Sequence, residues 1–174
     1  VKEALAVVEW IEVDAEMQVY QAALFRSLGD NYLGLSDYRS AFDAYNQSLA
    51  VALEVTDQPG IAMARRSLAW IAIQQGKFDD AENQAQEALH LYQEMGLQRD
   101  IAFTLNILGT IAIRTSRYEQ AEQYYEQSLR LRRQLGHPRE IAESLNDLGT
   151  LFSETAKMEQ AQQCYEECLS VLQE

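Results

Sequence analysis

The feature that most restricts what this chain can fold into is that it repeats itself. Leu28, Leu68, Leu108 and Leu148 stand 40 residues apart, each followed by a small residue (Gly29, Ala69, Gly109, Gly149). Ala41, Ala81, Ala121 and Ala161 come thirteen positions after these leucines. Tyr38, Phe78, Tyr118 and Met158 precede those alanines by three, and Leu49, Leu89, Leu129 and Leu169 follow them by eight. Self-similarity at a fixed period of this size marks an array in which each unit is one supersecondary element, unable to bury its apolar face alone and stable only when stacked on its neighbours.

Each unit reads as two helices. In the third, Ile101, Leu105, Leu108 and Ala112 give the three-and-four spacing of one buried stripe, and Tyr118, Ala121, Tyr125, Leu129 and Leu131 give a second. Only two prolines occur while Ala, Leu, Gln and Glu abound, so the intrinsic preference is helical and no sheet is expected. Gly96 and Gly136 fall where a left-handed residue would close a second helix, and Pro59 and Pro138 where the next first helix would begin. Ser116 is placed to cap a second helix. These marks predict first helices near 15–34, 59–75, 98–115 and 138–155, and second helices near 37–55, 77–95, 117–135 and 157–173. The four hairpins then span about 15–58, 59–97, 98–137 and 138–174. Residues 1–14 read as a half repeat or N-terminal capping helix, with Leu5, Val8 and Ile11 on one apolar face and Asp14 capping the helix that follows. The start at Val1 and the end at Glu174 within a helical run suggest a fragment of a longer protein.

The small residue after Leu, the later aromatic, then Ala with an aromatic four after it resemble the tetratricopeptide repeat. The match covers nearly the whole chain. The third unit carries it as Leu108, Gly109, Ala112, Ala121 and Tyr125; the fourth as Leu148, Gly149, Phe152, Ala161 and Tyr165; the first as Phe25, Leu28, Gly29, Tyr32, Ala41 and Tyr45. The second departs most, with Arg65 where a large apolar residue is usual and Ala85 in place of an aromatic. The 40-residue period is a long variant, similar to that of bacterial multidomain signalling regulators, kinesin light chains and mitotic-spindle adaptors. The resemblance implies an all-α fold, a right-handed superhelical solenoid of antiparallel helix hairpins, whose first helices line a concave groove for the peptides of partners.

On that geometry the groove face lies three and four residues from each repeat leucine. It holds Arg26 and Asp30 in the first unit, Met63, Arg66 and Trp70 in the second, Phe103, Asn106 and Ile107 in the third, and Asn146 and Thr150 in the fourth. Met63, Trp70, Phe103 and Ile107 would form an apolar patch, and exposed aromatic and Met clusters mark interaction sites; the competing expectation is that Trp70 and Phe103 pack against the next repeat. Asn106 and Asn146, equivalent in register, could hydrogen-bond a peptide backbone or simply face water. The clamp for peptides ending in Glu-Glu-Val-Asp needs Lys, Asn and Arg together, and Asp30, Trp70 and Thr110 interrupt them.

Chemistry is not visible. The two histidines, His90 and His137, lie in different contexts without a Cys or acidic partner at a useful spacing. Cys164 and Cys168 are half a metal site at most, and Cys168 falls where Ser48, Ala88 and Ser128 fall, as a small packing residue. The glycines form no phosphate loop. A net charge of −13 disfavours nucleic acid and acidic membranes, and no apolar run is long enough to span a bilayer. The expectation is a cytoplasmic scaffold for a protein or peptide partner, serving as the sensing or recruiting part of a larger regulator, with no enzyme activity, cofactor or metal. The alternative is a self-assembly module that pairs through the apolar end of its terminal helix, Cys168, Leu169 and Leu172.

Overall fold

The structure, a computed structural model, describes the backbone of residues 2–173 and the side chains of residues 14–173. Among the described residues there are helices and no strands: α1 (Lys2–Gly34), α2 (Tyr38–Glu54), α3 (Gln58–Gln74), α4 (Phe78–Met95), α5 (Gln98–Arg114), α6 (Tyr118–Leu135), α7 (Pro138–Glu154) and α8 (Met158–Val171). The chain divides into two compact units, residues 1–77 and 78–174, with α1–α3 in the first and α4–α8 in the second. The expected helix ends agree to within about two residues, with one exception. α1 runs unbroken through Asp14, because nothing between Lys2 and Gly34 breaks a helix, so Asp14 caps no helix start. The apolar face expected for Leu5, Val8 and Ile11 lies outside the described side chains.

Left-handed residues set the turns. Ser36, Thr56, Gly76, Gly96, Ser116, Gly136 and Ala156 all have φ between 54° and 73°, one at every twentieth residue. The residue after most of them donates its N–H five residues back, Lys77 to Ala72 O (2.9 Å), Arg117 to Ala112 O (2.8 Å) and Lys157 to Phe152 O (2.8 Å), which satisfies a carbonyl at the helix end. Ser116 is therefore the left-handed turn residue and not the helix cap expected of it. The N-cap of α6 is Arg117, which makes no side-chain cap bond, whereas Asp37 does cap α2 by accepting from Ser40 N at 3.1 Å. Pro59 and Pro138 sit in the first turn of α3 and α7, where a missing N–H costs nothing.

Within each unit neighbouring helices pack as antiparallel pairs: α1 on α2 and α2 on α3 in the first, and α4 through α8 in succession in the second. Ala41 and Ala121 are wholly buried where a first helix crosses its second. Opposite Gly29, Gly109 and Gly149 lie the rings of Tyr45, Tyr125 and Tyr165, and a Cβ on any of these glycines would stand 2.5 to 2.6 Å from a ring carbon. Glycine is thus required by contact, not by dihedral angle. The Ser48 hydroxyl donates to Ala22 O and that of Ser128 to Ala102 O, both at 2.8 Å, and the Cys168 thiol makes the same bond to Ala142 O at 3.3 Å. Its repeat position makes Cys168 a packing group. A cation before α4, α6 and α8 also reaches back one repeat: Lys77 to the ring of Phe42, Arg117 to Glu82, Lys157 to Glu122. Leu68, Leu108 and Leu148 are buried as the repeat predicts, but Leu28 is 42% exposed.

Candidate functional site

In the second unit, side chains of three helices meet between α5 and α7. Arg132 of α6 is 2% exposed, with its guanidinium carbon 4.7 Å from the centroid of the Phe103 ring on α5. It donates to the Glu140 backbone carbonyl at 2.7 Å and pairs with Glu143 at 3.6 Å, both on α7. Arg99, at the start of α5, binds the Glu140 carboxylate at 2.6 Å and lies 5.8 Å from the same Phe103 ring. An arginine can be buried this way only because carboxylates, a carbonyl and an aromatic face replace its water. Burial still pulls the Arg132 guanidinium below its ordinary value, against the opposing pull of Glu143, Glu140 and Asp147. Arg132 Nε and Glu140 Oε2 are buried without a hydrogen-bond partner.

Beside this cluster the Asn106 amide donates to Asp147 Oδ2 at 2.6 Å, joining α5 to α7. Burial raises the Asp147 carboxyl from its ordinary value, while the Asn106 hydrogen bond and Arg132 work the other way. The Tyr125 hydroxyl lies 3.2 Å from Thr110, and burial pushes the phenol up to about 12. Ile107 is half-buried, and Asn146 and Thr150 are exposed, with Thr150 donating to Asn146 O at 2.9 Å.

In the first unit Arg26 and Asp30 form an i,i+4 pair at 3.9 Å on α1, and Asp30 also accepts from the Tyr45 hydroxyl at 2.7 Å. Burial, then Asp30, raise the Tyr45 phenol. Met63 and Arg66 are half-buried on α3, and Trp70 is 38% exposed. Between α1 and α3 opens a cavity of about 220 Å³ whose wall includes Arg26 and Met63. The groove positions read from the sequence therefore fall into two sets, Arg26, Asp30, Met63, Arg66 and Trp70 in one unit and Phe103, Asn106, Ile107, Asn146 and Thr150 in the other. The fold brings Asn106 to Asp147 and seats Phe103 between two guanidinium groups.

Sequence reasoning passed over Arg132, Arg99 and Glu140. Arg132 sits in the run Leu129 to Arg133, which looks like a solvated helix face. Its repeat counterparts Ala52, Tyr92 and Leu172 are apolar or aromatic, and that register was the available sign that position 132 points inward. Among the described residues no helix is long and apolar enough to cross a membrane, and no group of three or more His, Cys, Asp and Glu is placed to hold a metal ion.

Comparison with known proteins places this geometry. The tetratricopeptide repeat model matches residues 20–94 and 100–174. No curated protein sequence matches. Among solved structures of similar fold, BtubC (BKLC) from P. vanneervenii aligns with a TM-score of 0.78 at 21% identity, over 86% of this chain and 62% of that one. RapI in its apo form aligns with a TM-score of 0.80 at 15% identity, over 88% and 56% of the two chains. A Rap protein complexed with competence and sporulation factor aligns with a TM-score of 0.83 at 12% identity, over 88% and 43%. The chain thus spans 43% to 62% of the lengths of these structures, and the likeness is one of fold. With two matched stretches that together cover most of its length, the chain belongs to the tetratricopeptide repeat family.

Proposed function

We propose that this chain binds a peptide segment of a partner protein on the faces of its first helices, as the sensing or recruiting module of a larger regulator. Tetratricopeptide repeats are interaction scaffolds and typically non-enzymatic, which sets the class of function. One observation carries the placement. Every one of the ten first-helix positions, Arg26, Asp30, Met63, Arg66, Trp70, Phe103, Asn106, Ile107, Asn146 and Thr150, keeps part of its side chain accessible, while Leu68, Leu108, Leu148 and the repeat alanines Ala41, Ala81, Ala121 and Ala161 are buried. Along the first helices, Leu68, Leu108 and Leu148 of the repeat frame are buried, and the ten positions beside them, which vary from repeat to repeat, reach the surface. Surface variation on a constant frame is how a repeat array writes specificity. The Rap protein solved with competence and sporulation factor is a precedent for ligand binding on this fold.

The test is selection of binders from a phage-displayed library of random linear peptides, followed by affinity measurement on wild type and on a variant with Arg66→Ala and Trp70→Ala. The double variant is expected to weaken the selected peptides by about tenfold or more with its helix content intact. Unchanged affinity would move the binding surface elsewhere, and a selection that returns no peptide would sink the reading.

A second reading has its own observation. Leu169 on α8 and Leu172 just after it are 61% and 58% exposed, an apolar edge that a second copy could cover. Light scattering over a concentration series separates this self-assembly from a monomeric scaffold.

A further inference from the structure

The cleft between successive first helices occurs once in each unit, so its two versions can be compared position by position at an offset of 80 residues. In the second unit the cleft between α5 and α7 is filled by Arg99, Phe103, Arg132 and Glu140. Their counterparts in the first unit are Val19, Ala23, Ala52 and Gly60. Each replacement is smaller and none carries a charge. The consequence is visible between α1 and α3, where Val19, Ala22, Ala23, Arg26, Gly60 and Met63 border the cavity of about 220 Å³.

Three features describe what this cavity is shaped to accept. Its interior is apolar, because the one hydroxyl in its floor, Ser48, is already engaged with the Ala22 carbonyl at 2.8 Å. It is smaller than the roughly 300–1,000 Å³ of small-molecule sites and suits a single side chain. A Cβ on Gly60 would meet the Asp57 carboxylate first and Ala52 Cβ next, at 3.3 Å, so two small residues and a carboxylate stand where Arg132 meets the Glu140 carbonyl in the other unit. The molecule itself shows what fills the corresponding place, the ring of Phe103 stacked on a guanidinium at 4.7 Å. Charge supplies the rest of the description. Arg26 and Asp57 are the two charges in the cavity wall, Arg26 is already paired with Asp30 at 3.9 Å, which leaves the Asp57 carboxylate, and the chain carries a net charge of −13. The Asp57 carboxylate and the acidic surroundings favour a cationic neighbour for the entering group.

We infer that the cavity between α1 and α3 receives one aromatic side chain from a partner peptide that carries lysine or arginine next to it. The inference rests on the peptide-binding reading above and assigns its anchor pocket. The internal copy of the filled cleft provides the test as well as the argument, since Ala23→Phe places in the first unit the ring that Phe103 places in the second. Ala23 is exposed on α1, so the substitution leaves the helix intact.

The peptides selected on the random library are sequenced and their affinities measured on wild type, Ala23→Phe and Met63→Ala, with circular dichroism as the folding control. The expected result is enrichment of Phe, Tyr or Trp beside Lys or Arg, loss of about tenfold or more in affinity with Ala23→Phe, and a smaller loss with Met63→Ala. Peptides that bind both variants as tightly as wild type overturn the pocket and leave the peptide-binding reading standing. Selected peptides that are acidic or lack aromatics overturn the assigned occupant. A library that yields no binder overturns both the pocket and the reading beneath it. Should Ala23→Phe unfold, Met63→Ala decides alone.

Discussion

The cleft between α1 and α3 and the cleft between α5 and α7 share one frame and differ in what occupies them. Both have the serine bonded to a first-helix carbonyl, Ser48 to Ala22 and Ser128 to Ala102, and both have the tyrosine over a glycine, Tyr45 on Gly29 and Tyr125 on Gly109. Yet the second is closed by a buried arginine with its ring and carboxylates, and the first is open. The turns entering α3 and α7 differ in the same sense, with Thr56 left-handed in one and Gly136 in the other. The difference teaches that the repeat fixes backbone and hairpin packing, while the space between repeats is set by a few large side chains free to change.

The strongest way to break the comparison is to empty the closed cleft. Arg132→Ala removes the ring contact and the bond to Glu140 O and leaves a void beside Phe103, and it should cost about 3 kcal/mol in urea denaturation. A loss below about 1 kcal/mol would mean the arginine merely occupies space.

Gly109→Ala attacks what the clefts share. Its methyl would meet Tyr125, and overpacking of this kind costs about 1–3 kcal/mol. Combined with Tyr125→Ala the two losses should fall short of additive by about 1 kcal/mol, because each removes the reason for the other. The sequence already contains that combination in its second repeat, Ala69 with Ala85. Full additivity would show that the ring moves aside.

Thr56→Gly sharpens the contrast between the turns. A β-branched residue at φ 54° is strained, so glycine should stabilise the chain by about 0.5–1 kcal/mol despite the added freedom of the unfolded state. Destabilisation would mean that the threonine side chain holds the turn in some other way.

The smallest expected effect is one of pH. Asp147 is held above its ordinary value of 3.8, so the folded state keeps its proton longer than the unfolded state does. The stability it contributes is full below the unfolded value and is lost as pH rises through the folded one. Wild type measured against Asp147→Asn should therefore lose relative stability as the pH is raised across that interval. A difference that grows with pH would show that the Asn106 bond and Arg132 outweigh burial.

Much of this was legible in the sequence. The period located the helices, Gly96 and Gly136 announced left-handed ends, and Pro59 and Pro138 announced helix starts, because each residue has a backbone reason to be there. Serine, threonine and alanine carry no such mark, so Ser36, Thr56, Ser116 and Ala156 gave no sign of positive φ until the structure placed them in register with the glycines. The start of the first helix differs from the expectation for the opposite reason: Asp14 resembles a cap, but a cap residue within uninterrupted helix former does not end a helix. The closed cleft escaped because a charged residue beside other charged residues reads as solvent-facing. Only its partners, Phe103 on one helix and Glu140 and Glu143 on another, turn Arg132 inward, and that pairing is a property of three helices together.

The left-handed residue at every twentieth position has a consequence for how such a chain is edited. A segment excised between equivalent turn residues, such as Gly96 and Gly136, rejoins the chain at matching dihedral angles, 68° and 73°, and in the same helical phase. Hairpins are in this sense exchangeable cassettes: one can be deleted, duplicated or swapped with the joints unchanged. What such an exchange must rebuild is the side-chain contact across the joint, as between Arg132 and Glu140.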